Sequence, residues 1–361
     1  MNRRLILQIL ALTASAVELL DGQALGRHYF PNDYEYGKKI TARMAELQQS
    51  VAGRVQDPFP PFKVIGNTYY VGVTGAGAFL ITSPQGHILV NSTYAETAPL
   101  VQKSVEQLGF KLTDIKIILI DHRHVDKAGG ASWLKEHTGA RLMAMDGDAQ
   151  IIANGGRGGY SAATGVVAFV PPRLAAARTP ATVAGDSGGG TQGGYYPPAK
   201  VDHVLHHGEQ IKLGNIVVTA HHIPGHTEGS TTYTWTAPES GKNYSIVELC
   251  CVQTPAQNLS VLKAMADDPA RPFPALGTGD QWAIAVIRRD YLRLENLVFD
   301  VFLTGRPFEW LMYDKYDQYK KTSDFRVFIN RHDYRSDLAA RELELEEAIK
   351  RGVPAGTKTN P

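Results

Sequence analysis

The stretch Ile117-Ile118-Leu119-Ile120-Asp121-His122-Arg123-His124-Val125-Asp126-Lys127-Ala128-Gly129-Gly130 decides how the rest of this chain is read. Its first four residues are apolar and three of them are β-branched, which predicts a buried strand. The strand runs directly into a polar cluster. Gly129-Gly130 then breaks the chain, and Ala131 to His137 reads as a helix. Open α/β sheets place ligands and chemistry at such strand ends. His122 and His124 are two residues apart, so in an extended segment both rings lie on one side and reach one ion, and Asp126 continues the alternation. A polar turn with two hydrogen-bonded histidines explains that spacing less well.

The surrounding chain is consistent with such a sheet. Three short strands, Thr68 to Val73, Ala78 to Thr82 and His87 to Asn91, precede it, the last two joined through Ser83-Pro84-Gln85-Gly86. Glu96 to Leu108 carries apolar residues at helical spacing and ends at Gly109. Strand, helix, strand implies a right-handed crossover and a partly parallel sheet. Further on, Ile216 to His221, Thr231 to Thr236, Tyr244 to Leu249 and Phe299 to Thr304 read as strands, while Ala283 to Leu297 and Arg335 to Arg351 read as helices. Arg27 to Val55 reads as an N-terminal extension with a helix near Lys38 to Gln49, closed by Pro58, Pro60 and Pro61. Asn154 to Lys200 is rich in glycine and proline. It is expected either to lid the site or to be a disordered insertion.

Composition bounds the function. The chain has 361 residues, 43% hydrophobic and 20% charged, with a formal net charge of +1. That is ordinary for a globular protein, and the absence of a basic run gives no reason to expect nucleic acid. The two cysteines, Cys250 and Cys251, are adjacent, so no disulfide framework is inferred. Met1 to Ala24 reads as a secretory signal, with Arg3-Arg4, the apolar run Leu5 to Leu12, and cleavage near Ala14-Ser15-Ala16 or Gly22-Gln23-Ala24. No other segment approaches the ~18 apolar residues of a membrane span. The expectation is a periplasmic or secreted protein with no membrane attachment after cleavage, acting on a small molecule. Residues 1–24 would be the signal, 25–62 the extension, 63–351 the catalytic domain with its insertion at 154–200, and 352–361 a loose tail.

His122-Arg123-His124-Val125-Asp126-Lys127 resembles the His-x-His-x-Asp-His signature of the metallo-β-lactamase superfamily, and Pro224-Gly225-His226-Thr227-Glu228-Gly229-Ser230 resembles its second metal motif. The hairpin, the Ala128-Gly129-Gly130 ending and the run from His226 to Trp235 are most similar to subclass B3. The resemblance covers roughly Val64 to Arg351 and implies an α/β fold: an αββα sandwich of two mixed sheets flanked by helices, with metal at one edge. It implies that His122, His124 and His226 hold one zinc with an open fourth position, which lowers the pKa of bound water to about 7.

The second metal position departs from the family. Asp126 matches its carboxylate, but Lys127 stands where a histidine is usual, and the last histidine falls at or near Arg306. Protonated lysine has no lone pair, arginine stays charged, and two cations repel a divalent ion. One zinc is therefore expected. A second would bind only through Asp126 and a thiolate, with Cys251 matching the ligand position of another subclass and Cys250 as its neighbour. Both cysteines also read as small buried hydrophobes. His221 is expected to be packed in its strand, either His221 or His222 to donate behind the ligands, and His203, His206 and His207 to form a solvated face.

By this reading, Asp126 orients the water and accepts its proton, and Lys127 and Arg306 stabilise the leaving group electrostatically. Alternatively, Lys127 merely holds Asp126. The implied activity is β-lactamase-type hydrolysis of a cyclic amide. Lactone, ester or thioester hydrolysis by the same fold, or a catalytically weak zinc-binding role, are the alternatives.

Overall fold

A computed structural model describes residues 31–157, 160–161, 165–166, 194–250, 280–297 and 299–350. The signal segment, the C-terminal tail and Cys251 lie outside the described residues. The central strand is β5, Ile115–Ile120. Its side chains alternate between two apolar environments, as a strand buried on both faces requires. Ile117 and Leu119 enter the core between the two sheets. Ile118 and Ile120 pack instead with Val101, Val105 and Leu134, from the helices Ala98–Gln107 and Ala131–Thr138.

Six further strands complete the first sheet: β1 (Phe62–Ile65), β2 (Thr68–Tyr70), β3 (Phe79–Ile81), β4 (His87–Val90), β6 (Arg141–Met145) and, beyond a two-stranded ribbon of β7 (Tyr160–Ser161) and β8 (Gly165–Val166), β9 (His203–Leu205). The order is β1-β2-β3-β4-β5-β6-β9. Pairing is antiparallel up to β4 and parallel from β4 to β9. The ribbon shows that the glycine-rich stretch is not wholly without regular structure.

The second sheet runs β10 (Gln210–Leu213), β11 (Ile216–His222), β12 (Thr231–Glu239), β13 (Lys242–Leu249) and β14 (Val301–Thr304). Val218, Ala220, Tyr233 and Trp235 face Ile117 and Leu119 across the common core. β10 to β13 are antiparallel, and β13 and β14 are parallel. The carboxyl ends of β4, β5, β6 and β9 thus share one edge of the first sheet, and those of β11, β13 and β14 share one edge of the second. With helices flanking the sheets, this is the expected αββα sandwich.

The N-terminal helix spans Pro31–Val51, seven residues earlier than the sequence suggests, because Pro31 suits a first-turn position and Ile40, Met44 and Leu47 give it a buried face. It packs on the C-terminal helix Arg331–Lys350, where Gly37 permits close approach: a Cβ there would lie 2.1 Å from Ser336 O. The helix Met312–Thr322, which apolar periodicity does not announce, is held by buried Met312 and by Lys315, paired with Asp333 at 3.3 Å.

On the C-terminal helix, Glu342 is buried. Burial and the charges of Glu295 and Glu346 push its carboxyl from 4.5 up to about 8. The folded state keeps a proton that the unfolded chain has already released above its ordinary value, so this group costs stability progressively from pH 4.5 to about 8. Glu342→Gln is expected to raise Tm at pH 8 and above, with the gain shrinking towards zero near pH 4.5. Thermal melts of both proteins across that range check it, and a pH-independent difference would contradict the assignment.

Candidate metal centre

The site is built at the shared strand ends. Past Ile120 the chain bends through Asp121 to His124, and a short helix, Val125–Ala128, follows with His124 at its N-cap. The helix turns Asp126 out of the alternation that relates His122 to His124. Gly130 makes this compact turn possible: a Cβ there would lie 2.2 Å from Ser92 O. The facing loop is strained in return. Asn91 and Thr93 have φ of 66° and 59°, and a β-branched residue in that region is unusual outside functional sites.

His226, on the loop after β11, meets the two histidines after β5. Its Nε2 lies 2.9 Å from His124 Nδ1 and 3.2 Å from His122 Nε2. The three ring centroids are 4.5 to 4.8 Å apart and the planes are nearly perpendicular. Each ring turns a nitrogen towards the other two, and one proton can bridge only one such pair. A cation accepting three lone pairs fits the donor set, and three imidazoles suit zinc. His122 and His226 are buried, while His124 is half-exposed, so the centre opens on the His124 and Val125 side.

His122 is fixed from behind. Its Nδ1 lies 2.7 Å from Asp121 Oδ1 and 3.4 Å from Cys250 Sγ. A carboxylate can only accept, so Nδ1 carries the proton and Nε2 keeps its lone pair for an ion. Asn91 Nδ2 donates to Asp121 Oδ2 at 3.0 Å, and Asp121 N–H donates to Asn91 Oδ1 at 3.1 Å. Among the described residues the cysteine that reaches the centre is therefore Cys250, at the back of a ligand. Asp121, His122 and Cys250 bring together three atoms of metal-ligand type.

The two histidine loops are joined through Asp148, after β6. Its carboxylate accepts from Arg123 N–H at 3.0 Å, Arg123 Nη1 at 3.1 Å, Thr227 Oγ1 at 2.5 Å and Gly229 N–H at 3.1 Å. Glu228 also pairs with Arg123. Burial acts to lower the Arg123 pKa, but the two carboxylates outweigh it and hold it above the usual arginine value. Burial also pushes the Glu228 carboxyl up, against the pull of Arg123. Tyr196 OH donates to Arg123 O at 2.6 Å, Thr231 N–H to Asp121 O at 2.8 Å, and Tyr233 OH to Ile120 O at 3.0 Å. His222 Nε2 meets Glu228 O at 2.7 Å, as a donor behind the His226 loop, and His221 Nε2 meets Thr234 Oγ1 at 2.9 Å within the sheet.

Lys127 is fully buried. Its Nζ donates to Asp126 Oδ2 at 2.5 Å and to Gly305 O at 2.7 Å. Gly305 follows β14, and a Cβ on it would lie 2.4 Å from Lys127 Cε, so only glycine leaves room for this lysine. Arg306 turns its guanidinium to Glu309, with Nη1 3.4 Å from Oε1. The structure thus brings together His122, His124 and His226, and separately Asp126 with Lys127. Asn91, Asp148 and Gly305 were not singled out from sequence because each acts through a partner 25 to 178 residues away, and Asp121, though next to His122, is itself fixed by the distant Asn91.

The chain is similar to proteins of known family. The profile of the metallo-beta-lactamase superfamily matches residues 71–237. MEM-A1, a subclass B3 metallo-beta-lactamase from a soil metagenome library, is 30% identical, with 82% of this chain and 98% of that one covered and a TM-score of 0.60. The native FEZ-1 metallo-beta-lactamase from Legionella gormanii is 29% identical, with 82% and 97% covered and a TM-score of 0.61. The class B3 di-zinc metallo-beta-lactamase LRA-12 from an Alaskan soil metagenome is 26% identical, with 81% and 95% covered and a TM-score of 0.62.

Replacing Asp148 by asparagine removes a charge that faces buried Arg123 and disrupts the link between the two loops. Asp148→Asn is expected to cost ~3 kcal/mol or more in stability and to weaken zinc binding ~10- to 100-fold. Denaturant unfolding and chelator competition measure the two effects. Unchanged zinc affinity would show that the loops hold the histidines without it.

Proposed function

The chain belongs to the metallo-β-lactamase superfamily, and from that premise we propose that it is a one-zinc hydrolase opening a cyclic amide of the β-lactam type. The observation that carries the reading is the convergence of three imidazole nitrogens on one point, followed two residues after His124 by a carboxylate paired with a buried ammonium. His122, His124 and His226 would hold the ion. Zinc, when bound there, supplies Lewis acidity that acidifies water at neutral pH.

The remaining steps belong to this chain. We assign the Asp126 carboxylate, held through Oδ2 by Lys127, to orient the attacking water and take its proton. By the motif resemblance, Lys127 stands at the sequence position where relatives carry a histidine of the second metal site. A cation fixed in a buried site stabilises charge developing on the leaving nitrogen without reorganising. Asp121 keeps His122 in the ligand tautomer throughout. Cys250 Sγ lies 3.4 Å from Nδ1 of His122, not from the Nε2 that meets His226, which supports a count of one zinc rather than two.

A second reading, hydrolysis of a lactone or another ester, has its own support. Lys127 is committed to Asp126 and Gly305 O, and Arg306 to Glu309. Substrates without the carboxylate of a β-lactam would suit such a site. Rates on a chromogenic β-lactam and on a panel of lactones and esters separate the readings, and no turnover on either class would overturn both. The exported location and the signal at residues 1–24 remain part of the proposal. Export with cleavage near Ala16 or Ala24 tests them.

Elemental analysis is expected to find about one zinc per chain, and two tightly held zincs would reject the stoichiometry. Lys127→Ala is expected to keep that zinc while single-turnover hydrolysis falls by about a hundred-fold, the usual cost of one positioned charge at a transition state. An unchanged chemical step would show that Lys127 serves only to hold Asp126.

A further inference from the structure

The open side of the three-histidine centre is bordered by a second turn. Asn154 ends the helix Ala149–Ala153, and Gly155 and Gly156, with φ of 67° and 81°, turn the chain against residues 194–196. Both positions need glycine. A Cβ on Gly155 would lie 2.3 Å from Tyr196 O, and one on Gly156 would lie 2.8 Å from Cε1 of the Tyr196 ring. Tyr196 N–H donates to Gly155 O at 3.2 Å, and its buried hydroxyl donates to the carbonyl of Arg123, the residue between His122 and His124. A Cβ on Gly194 would lie 3.8 Å from Val125, the residue after half-exposed His124. Residues 155–157 and 194–196 therefore stand together where the centre opens.

Arg157 follows this turn. Its guanidinium stacks on the Tyr195 ring, with Cζ 4.7 Å from the centroid. Nη1 donates to Asn154 O at 3.1 Å, and among the described residues no carboxylate pairs with the guanidinium. Its Nε is buried and meets no acceptor. The other cations around the centre are committed: Lys127 to Asp126, Arg306 to Glu309, and Arg123 to Asp148 and Glu228. Stacking on an aromatic ring covers the face of a guanidinium and leaves its edge donors. Those donors form the planar fork that matches a carboxylate.

We propose that Arg157, seated on Tyr195, is a specificity-determining residue of this centre and binds a carboxylate on the substrate. The inference rests on the proposed hydrolysis for the class of ligand, and it favours carboxylate-bearing substrates over neutral lactones and esters. Its charge is uncompensated by the described residues, its ring partner fixes its plane, and Tyr196 and Gly194 tie its neighbours to the segment that carries His122 and His124. An anion bound there would supply the partner that the fold itself does not give this arginine.

The test is calorimetry of the zinc-loaded full chain with ω-mercaptocarboxylates of increasing length and with their methyl esters. The thiolate takes the zinc, and the chain length sets how far the carboxylate reaches. At one length or more the acid should bind ~10- to 100-fold tighter than its ester, the usual worth of a hydrogen bond to a charged group. Arg157→Gln should keep its zinc and lose that preference. Arg157→Lys, which keeps the charge without the planar fork, should restore part of it. Equal binding of acid and ester at every length, a preference that survives in Arg157→Gln, or no binding by any probe would each overturn the proposal. So would a loss of ester affinity in Arg157→Gln equal to the loss for the acid, which marks a merely structural arginine. The probes are not turned over, so absence of β-lactam hydrolysis would reject the proposed reaction and leave this result standing.

Discussion

The geometry of the centre depends on one buried carboxylate. Asp148 accepts from two groups of Arg123 and from Thr227 and Gly229, so it binds the loop of His122 and His124 to the loop of His226. These loops belong to different sheets, and apolar packing in the shared core cannot set their separation to a few tenths of an ångström. Directional bonds to an ionised group can. Burying such a charge costs several kcal/mol unless its lone pairs are used. Here both oxygens are used, and Arg123 brings an opposite charge shared with Glu228.

Much of this was legible in the sequence because it is local. The run from Ile117 to Ile120 specifies its strand by composition, and the spacing of His122 and His124 places two ligands on one side of the chain that leaves it. The third ligand and the sandwich followed from the resemblance. The alternation misled at Asp126, where a short helix forms as the turn closes on Ser92 and Ala95. Partners distant in sequence were not legible. Asp148 directly precedes the helix Ala149–Ala153, where its side chain would serve as an ordinary cap, yet it turns across to Gly229 instead. No pattern near Asp121 announces that Asn91 and Cys250 will meet it and its histidine.

Lys127 shows how a change of ligand alters the whole surroundings. A histidine at a metal site needs an ion, whereas a lysine needs acceptors. The fold supplies Asp126 Oδ2 and the carbonyl of Gly305. Gly77 N–H donates to the same carbonyl at 2.9 Å, so the loop after β2 is tied in as well. A buried ammonium is tolerable only with such partners, and removing one partner of a buried pair typically costs ~3–5 kcal/mol. The position is thus a structural anchor as much as a chemical one.

The slot at Gly305 also bears on how the protein is made. Lys127 and Gly305 are 178 residues apart, and β14, which carries the slot, is the last strand of its sheet. Contacts this distant close late, because loop closure must be met before they contribute. Until β14 docks against β13, the lysine has no Gly305 carbonyl to accept its second hydrogen bond. During synthesis the histidine loops can therefore collapse together before the cation beside them is fully seated. The second acceptor of the buried cation is thus supplied by the last strand of the second sheet to leave the ribosome.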